Sequence, residues 1–349
     1  MTITDVKAVY PNWRNRAQGA WQAHFWQIVV RIETDAGVTG YGYGGGGEPG
    51  VLIINGHLRE LLIGKTVGSI KDIRTIWDHL YFKSLPYGRK GITLMALSGV
   101  DLAMWDLLGR AEGKPVYDLL GGMKKNPVRA YATGQDFARA RDLGYTAVKF
   151  SHRWQSDADY DTAIEQAGQA RKRLDPDALL MMDCYMSWDA EVTLEMHHLL
   201  TDYRIYWFED VLTPDHLAEL AALRPQLAPV LLAGGEHDFS HYSFADLART
   251  GALGLWQPDL TWCGGLTAGL RILDLARAHR IPVCPHRGGE IWSLHFIAAT
   301  DCMDLAETHP ARWDTPENLL WMDEPRMHEG VISPLDRPGF GVRLNEEMV

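Results

Sequence analysis

From about residue 127 the chain repeats one pattern: a short apolar run, an ionisable group at or just past its end, then an amphipathic stretch. The runs read VRAYATG, TAVKF, ALLMMDCY, IYWFED, VLLAGGEH, LGLWQPDL, IPVCPH and CMDLAE. Between them, stretches such as DTAIEQAGQARKRL, PDHLAELAALRPQL and GGLTAGLRILDLARAHR carry apolar residues at helical spacing. Strands that alternate with helices lie parallel, because each helix returns the chain to the same edge. Eight such units in roughly 200 residues fit a TIM-type (β/α)8 barrel near the lower end of that fold's size. A doubly wound open sheet is the competing α/β fold, but no Gly-rich phosphate loop follows any of these runs.

The first 125 residues read differently. HFWQIVVRIETDAGVTGYGYG is two β-rich runs joined by Asp35-Ala36-Gly37, a hairpin signal, and DIRTIWDHLYF and GITLMALSGVDLAMWDLLGRAEG follow as helices. Residues 1–125 are therefore expected to form a small α+β domain, and residues 126–328 the barrel. The loop from Pro11 to Ala23, PNWRNRAQGAWQA, lacks periodicity and is rich in Trp, Arg and Asn. It suits a substrate-covering flap or a plain surface loop, and its Arg14 and Arg16 are either substrate contacts or solvated charges.

Composition removes several classes of partner. A net charge of −11 without a compensating basic patch disfavours nucleic acid and anionic membrane. No run of 18 apolar residues occurs, and MTITDVKAVYP lacks the basic start and apolar stretch of a signal peptide, so a cytoplasmic protein is expected. Cys184, Cys263, Cys284 and Cys302 stand singly, without zinc-knuckle or disulfide-framework spacing, and read as buried thiols.

The ionisable groups at the ends of the later runs are Lys149, Asp183, Glu209, Glu236, Asp259, His286 and Glu307. Successive spacings after Asp183 are 26, 27, 23, 27 and 21 residues, about one βα unit each. In a barrel the C-terminal strand ends converge on one mouth, where such proteins do chemistry. One acid at a strand end serves equally well as a helix N-cap or ion-pair partner, but a series on consecutive strands points to a site. Asp183, Glu209 and Glu236 form an all-oxygen set whose mutual repulsion a bound cation would relieve. Hard oxygen ligands suit Mg²⁺, with Mn²⁺ as a substitute, whereas zinc would recruit nitrogen or sulfur. Asp259 and His286 fall on adjacent strands, where the aspartate can fix the histidine tautomer and leave its other nitrogen free to take a proton. Alone, His286 after Pro285 reads equally as a structural histidine.

Taken together, VDLAMWDLLGRAEGKPVYDLLGG, MMDCYMSWD, YWFED, GGEH, QPDLTWCGGLT, VCPHRG and PLDRPGFGVRLN resemble the enolase superfamily in its mandelate-racemase-like branch, and within it the L-rhamnonate dehydratases and related acid-sugar dehydratases. The resemblance implies an α+β capping domain over a (β/α)7β-type barrel, with residues 329–349 returning to the capping domain. It implies Mg²⁺ on Asp183, Glu209 and Glu236, an Asp259–His286 dyad, and Glu307 ending the last strand. A small-molecule sugar acid is the expected partner, an aldonate such as L-rhamnonate, and a homo-oligomer the expected assembly. The expected reaction is removal of the C2 proton by His286 and loss of the 3-hydroxyl, giving a 2-keto-3-deoxy acid. Glu307 is expected to stay protonated and donate a hydrogen bond to an enolate oxygen. Lys149 either steadies the substrate carboxylate or forms a plain ion pair, Tyr185 is a candidate substrate contact, and His152 reads as a loop residue.

Two departures bear on the reaction. Where the branch commonly has Lys-x-Lys, this chain has Lys149-Phe150-Ser151, so a second base is missing and racemisation is disfavoured. The Pro11–Ala23 loop is shorter than in rhamnonate dehydratases, which leaves the sugar open. A racemase, epimerase or cycloisomerase sharing the enolate step is the alternative, and a non-catalytic metal-binding scaffold the remote one.

Overall fold

The computed structural model describes residues 1–12, 21–314 and 320–349. Strands β1 (Ile3–Val9), β2 (Ile28–Thr34) and β3 (Thr39–Gly44) form an antiparallel sheet in that order. The β2–β3 hairpin turns at Asp35–Gly37, where Gly37 has φ +71°, as the sequence predicts. Helices α1 (Ile70–Ser84) and α2 (Ile92–Glu112) are the longest helices of this domain, beside shorter helical turns. The Ser69 hydroxyl caps α1 by accepting the Asp72 N–H at 3.2 Å.

The sequence of β3, TGYGYG, decides how α2 sits. Its alternate glycines put no side chain on one face of the pleat. A Cβ at Gly42 would lie 1.9 Å from the Gly99 carbonyl oxygen, and one at Gly40 2.3 Å from that of Ala103. Helix α2 therefore rests directly on the strand backbone. It is long and apolar enough to cross a membrane, but 89% of its apolar window is buried, which makes it the core helix of this domain.

The barrel strands are β4 (Val128–Thr133), β5 (Ala147–Ser151), β6 (Leu179–Asp183), β7 (Ile205–Glu209), β8 (Leu231–Gly234), β9 (Leu255–Trp256) and β10 (Ala306–Thr308). Strands β4 to β9 pair in chain order, parallel throughout, and β10 pairs with the free side of β4. Helices α3 (Phe137–Asp142), α4 (Ala158–Arg173), α5 (Ala190–Leu199), α6 (Leu217–Leu223), α7 (Ser240–Thr250), α8 (Gly265–His279) and α9 (Ile291–Ala299) alternate with them. The run IPVCPH, expected as a strand, makes only a bridge between Val283 and Trp256. Pro282 has no N–H to give to a ladder, which shortens it. The segment still closes the circle: Cys284 N–H donates to the Trp256 carbonyl at 2.9 Å, and Met303 N–H to that of Val283 at 2.8 Å.

The pleat sorts the barrel interior into layers. Tyr131, Ala147, Met181, Trp207, Ala233, Leu255, Cys284 and Leu305, one from each run, form a buried apolar cluster of their own. Side chains two residues further along a strand point the same way, so the next layer is Thr133, Lys149, Asp183, Glu209, Gly235, Gln257, His286 and Glu307. The apolar layer closes the barrel, and the ionisable layer stands on it.

Hydrogen bonds join the domains close to that layer. At the start of α8, Gly264 N–H donates to Ser98 Oγ at 2.8 Å and Thr267 N–H to Asp101 Oδ2 at 2.9 Å, both acceptors being on α2. The C-terminal segment pairs β12 (Val331–Ile332), which follows β11 (Trp321–Met322), with the start of β4. It then runs to the capping domain, where Phe340 N–H donates to Asp106 Oδ1 at 2.8 Å and Arg110 Nη2 to the Val342 carbonyl at 2.7 Å.

Candidate active site

Lys149 is the hub of the ionisable layer. It is 1% exposed, and its strand runs two residues beyond it to Ser151. Its ammonium donates to Glu209 Oε1, lies 3.0 Å from Glu307 Oε1 and is 3.8 Å from Asp183 Oδ2. Burial alone would discharge it, but Glu209 and Glu307 outweigh that and hold its pKa well above the usual lysine value. The other oxygen of Glu209 accepts from Trp207 Nε1 at 3.0 Å and Gln257 Nε2 at 2.7 Å.

Glu307 corrects one expectation. It accepts from Thr133 Oγ1 at 2.5 Å and, on its other oxygen, from the Arg287 N–H at 2.8 Å. Burial pushes its carboxyl up, but the charges of Lys149, His286 and His309, with the Thr133 hydrogen bond, hold it well below the usual range. Glu307 is thus an ionised acceptor, not the protonated donor expected from its acidic surroundings. Counting the acids around it overlooked the donors that converge on it.

Across the mouth, His286 Nδ1 is 2.9 Å from Asp259 Oδ2, and its Nε2 is 3.2 Å from Glu236 Oε2 and 4.0 Å from Glu307 Oε2. The Asp259 Oδ1 atom accepts from the backbone N–H and the hydroxyl of Thr261, each at 2.7 Å. Burial works against the Asp259 charge, but Arg287 and the hydrogen bond from His286 keep its carboxyl far below the usual range. An ionised Asp259 puts the ring proton on Nδ1 and leaves Nε2 as the reactive nitrogen. Burial would lower the His286 pKa, yet Glu236, the Asp259 hydrogen bond and Glu307 raise it to about 10. A cation on Glu236 would cancel the largest of these raising effects.

Asp183 ends β6, accepts the Tyr185 N–H at 3.1 Å, and is pushed up in pKa by burial and by Glu236. Glu236 lies two residues beyond β8. Among the described residues, the group of metal-ligating side chains whose ligand atoms fall within 4.8 Å of one another is Asp210, Glu236 and His237. The expected set of Asp183, Glu209 and Glu236 is more open, because Lys149, Trp207 and Gln257 hold Glu209 inward. Asp210, with φ +48°, was passed over in the sequence because its neighbour Glu209 already filled the strand end.

Tyr185 stands on the rim, 42% exposed, with the Arg153 guanidinium 4.4 Å from its ring centre. His152 lies in the loop just past β5, as expected, and is buried there: its Nε2 is 2.9 Å from the Asp159 carbonyl oxygen, and its ring packs on Trp188. Arg14 and Arg16 lie outside the described residues. Sequence reasoning also missed Arg287, Gln257 and Thr133. The last two could have been found by stepping two residues along each strand from the apolar layer.

A capped parallel barrel that brings a lysine, several acids and an Asp–His pair to one mouth defines a protein of the enolase superfamily. The chain belongs to the mandelate racemase / muconate lactonizing enzyme family: residues 3–121 match that family's N-terminal domain, and residues 133–348 match the enolase C-terminal domain-like model. It is 35% identical to an L-rhamnonate dehydratase of Saccharopolyspora erythraea over 99% of this chain and 90% of the relative. A rhamnonate dehydratase from Gibberella zeae complexed with Mg superposes with a TM-score of 0.89 at 28% identity, covering 99% of this chain and 95% of that one. A racemase from Streptomyces coelicolor with bound magnesium superposes with a TM-score of 0.83 at 26% identity, covering 99% and 98%.

Proposed function

We propose that the protein is a Mg²⁺-dependent dehydratase of an aldonic acid, L-rhamnonate being the first candidate, and that it is a hydro-lyase giving a 2-keto-3-deoxy acid. The observation that carries this reading is the one-sided placement of base chemistry. His286, backed by Asp259 on Nδ1, turns its Nε2 toward the mouth, 3.2 Å from Glu236, one of the acids that would hold the cation. At the position of a second base stands Ser151, and Lys149 beside it is pinned as a cation by Glu209 and Glu307. Inversion at C2 needs a proton carrier on each face of the substrate; elimination does not.

The donors present fit a hard divalent cation, since Asp183, Glu209 and Glu236 offer oxygen only and burial pushes the first two carboxyls up. Mg²⁺ there would supply positive charge beside the substrate carboxylate, and Mn²⁺ shares the same ligand preference. His286 Nε2 takes the C2 proton, and Asp259 stabilises the imidazolium that results. Lys149 adds a fixed positive charge next to the carboxylate as it gains electron density. The C2–C3 double bond forms as the C3–O bond breaks, and the proton now on His286 is available to the departing hydroxyl, which leaves as water. The enol then tautomerises to the 2-keto product. Glu307 fixes the Lys149 ammonium, and Tyr185 with Arg14 and Arg16 are proposed to contact the sugar hydroxyls and carboxylate. A cytoplasmic location is part of this proposal. A homo-oligomer is part of the same proposal.

The test is a panel of C5 and C6 aldonic and aldaric acids with Mg²⁺, scored for 2-keto-3-deoxy products. L-Rhamnonate is expected to turn over, and chelation or His286→Asn to abolish it. Deuterium entering C2 of recovered substrate with inversion and no elimination would favour the racemase instead, and no activity with any acid would leave the scaffold reading standing.

A further inference from the structure

The scheme above gives no task to Arg287, although few residues are built more tightly into the site. Its backbone has φ +51°, a conformation that costs any side chain but glycine, and its guanidinium side chain is only 7% exposed. Burying a cation adds a desolvation cost. Both costs are offset by contacts that converge on one neighbour. The Nε atom donates to Asp259 Oδ2 at 3.0 Å, and Nη2 lies 3.4 Å from Asp259 Oδ1 while also donating to Thr261 Oγ1. The guanidinium packs beside two indoles that also touch each other edge to face, 5.6 Å from the ring centre of Trp26 and 5.0 Å from that of Trp262.

Trp26 and Gln27 belong to the capping domain. Gln27, fully buried, donates through Nε2 to Thr261 Oγ1 at 2.9 Å and accepts the Trp262 indole N–H at 2.7 Å. These two bonds set the same threonine and tryptophan that hold Arg287. A carboxylate bonded to a histidine alone could swing about its terminal torsion and carry the ring with it. Gripped on both oxygens by Arg287 and Thr261, it cannot. Arg287 does not reach toward substrate, since Nε and Nη2 are engaged and Nη1 faces Glu290 at 4.0 Å.

We propose that Arg287 is the positioning residue of the Asp259–His286 dyad, and that Trp26 and Gln27 hold it in place, so that the base of the barrel is aimed from the capping domain. This rests on the reading of His286 as the base. It is tested in the full-length chain with Arg287→Gln and Gln27→Ala, using two readouts. With Mg²⁺ and L-rhamnonate, kcat is expected to fall roughly 10- to 100-fold in Arg287→Gln and less in Gln27→Ala, with KM little changed. Independently of turnover, the downfield Nδ1 proton resonance of His286, identified by its loss in His286→Asn, is expected to shift or broaden in both variants. A folded Arg287→Gln protein with wild-type kcat, or with raised KM at unchanged kcat, overturns the proposal. If Arg287→Gln does not fold, Gln27→Ala decides: an unmoved resonance overturns it. A wild-type chain inactive on every acid sugar sinks the dehydratase reading alone, and the resonance still decides the role of Arg287.

Discussion

At the scale of the residue, Lys149 shows how much of the site could be read before the fold was seen. A lysine inside an apolar run has no reason to be there unless acids meet it, and the regular recurrence of acids at later strand ends predicted that they would. The structure supplies the partners: Glu209, Glu307 and Asp183. Lys149→Met is expected to remove activity and, by leaving buried carboxylates without a counter-charge, to cost about 3–5 kcal/mol of stability, measured by urea unfolding. Added Mg²⁺ should restore part of that loss if the cation binds the same acids. Arg287 was not legible in this way. Its role depends on Trp26, Gln27 and Thr261, and no sequence period connects residues just before a capping strand with those past a barrel strand. The ionisation of Glu307 was misread for a related reason: the donors that decide it include a backbone N–H and a hydroxyl from the adjacent strand β4, 174 residues away in sequence.

At the scale of the element, periodicity explains what was readable and where it failed. Lys149, Asp183, Glu209 and Glu307 each lie two residues past a member of the apolar layer, so a strand's alternation alone places them; His286 keeps the same spacing although its run forms only a bridge. Glu236 and Asp259 do not obey it, because β8 ends at Gly234 and β9 at Trp256. Their positions follow from turn hydrogen bonds, such as those from Thr261 to Asp259, which residue spacing does not encode. The same limit applies to β3. TGYGYG announces a strand, but that its bare face is the bed of α2 depends on a helix some fifty residues away. Gly42→Ala sets a methyl against the Gly99 carbonyl and is expected to cost at least 1–3 kcal/mol, seen as a lowered thermal midpoint. A midpoint equal to wild type would show that the helix can shift without loss.

At the scale of the whole molecule, the joint between the domains carries its own titration. Asp101, fully buried on α2, accepts the Thr267 N–H with one oxygen, while the other has no hydrogen-bond partner. Burial raises its carboxyl from 3.8 to about 7. Between those values the folded chain keeps a proton that the unfolded chain has released, so its contribution makes stability fall as pH rises through that window and level off above it. The slope is at most on the order of 1 kcal/mol per pH unit. Urea midpoints for wild type and Asp101→Asn between pH 4 and 8 should converge at the acid end and differ progressively toward neutrality; parallel curves would refute it. The apolar layer beneath Lys149 has a further consequence. Trp207, Tyr131 and their neighbours leave no passage through the axis, so the barrel is a cup with a floor and not a conduit. In the proposed dehydration, the sugar acid would enter by the rim, and both the keto acid and the water split from it would leave over that same rim before another substrate could descend.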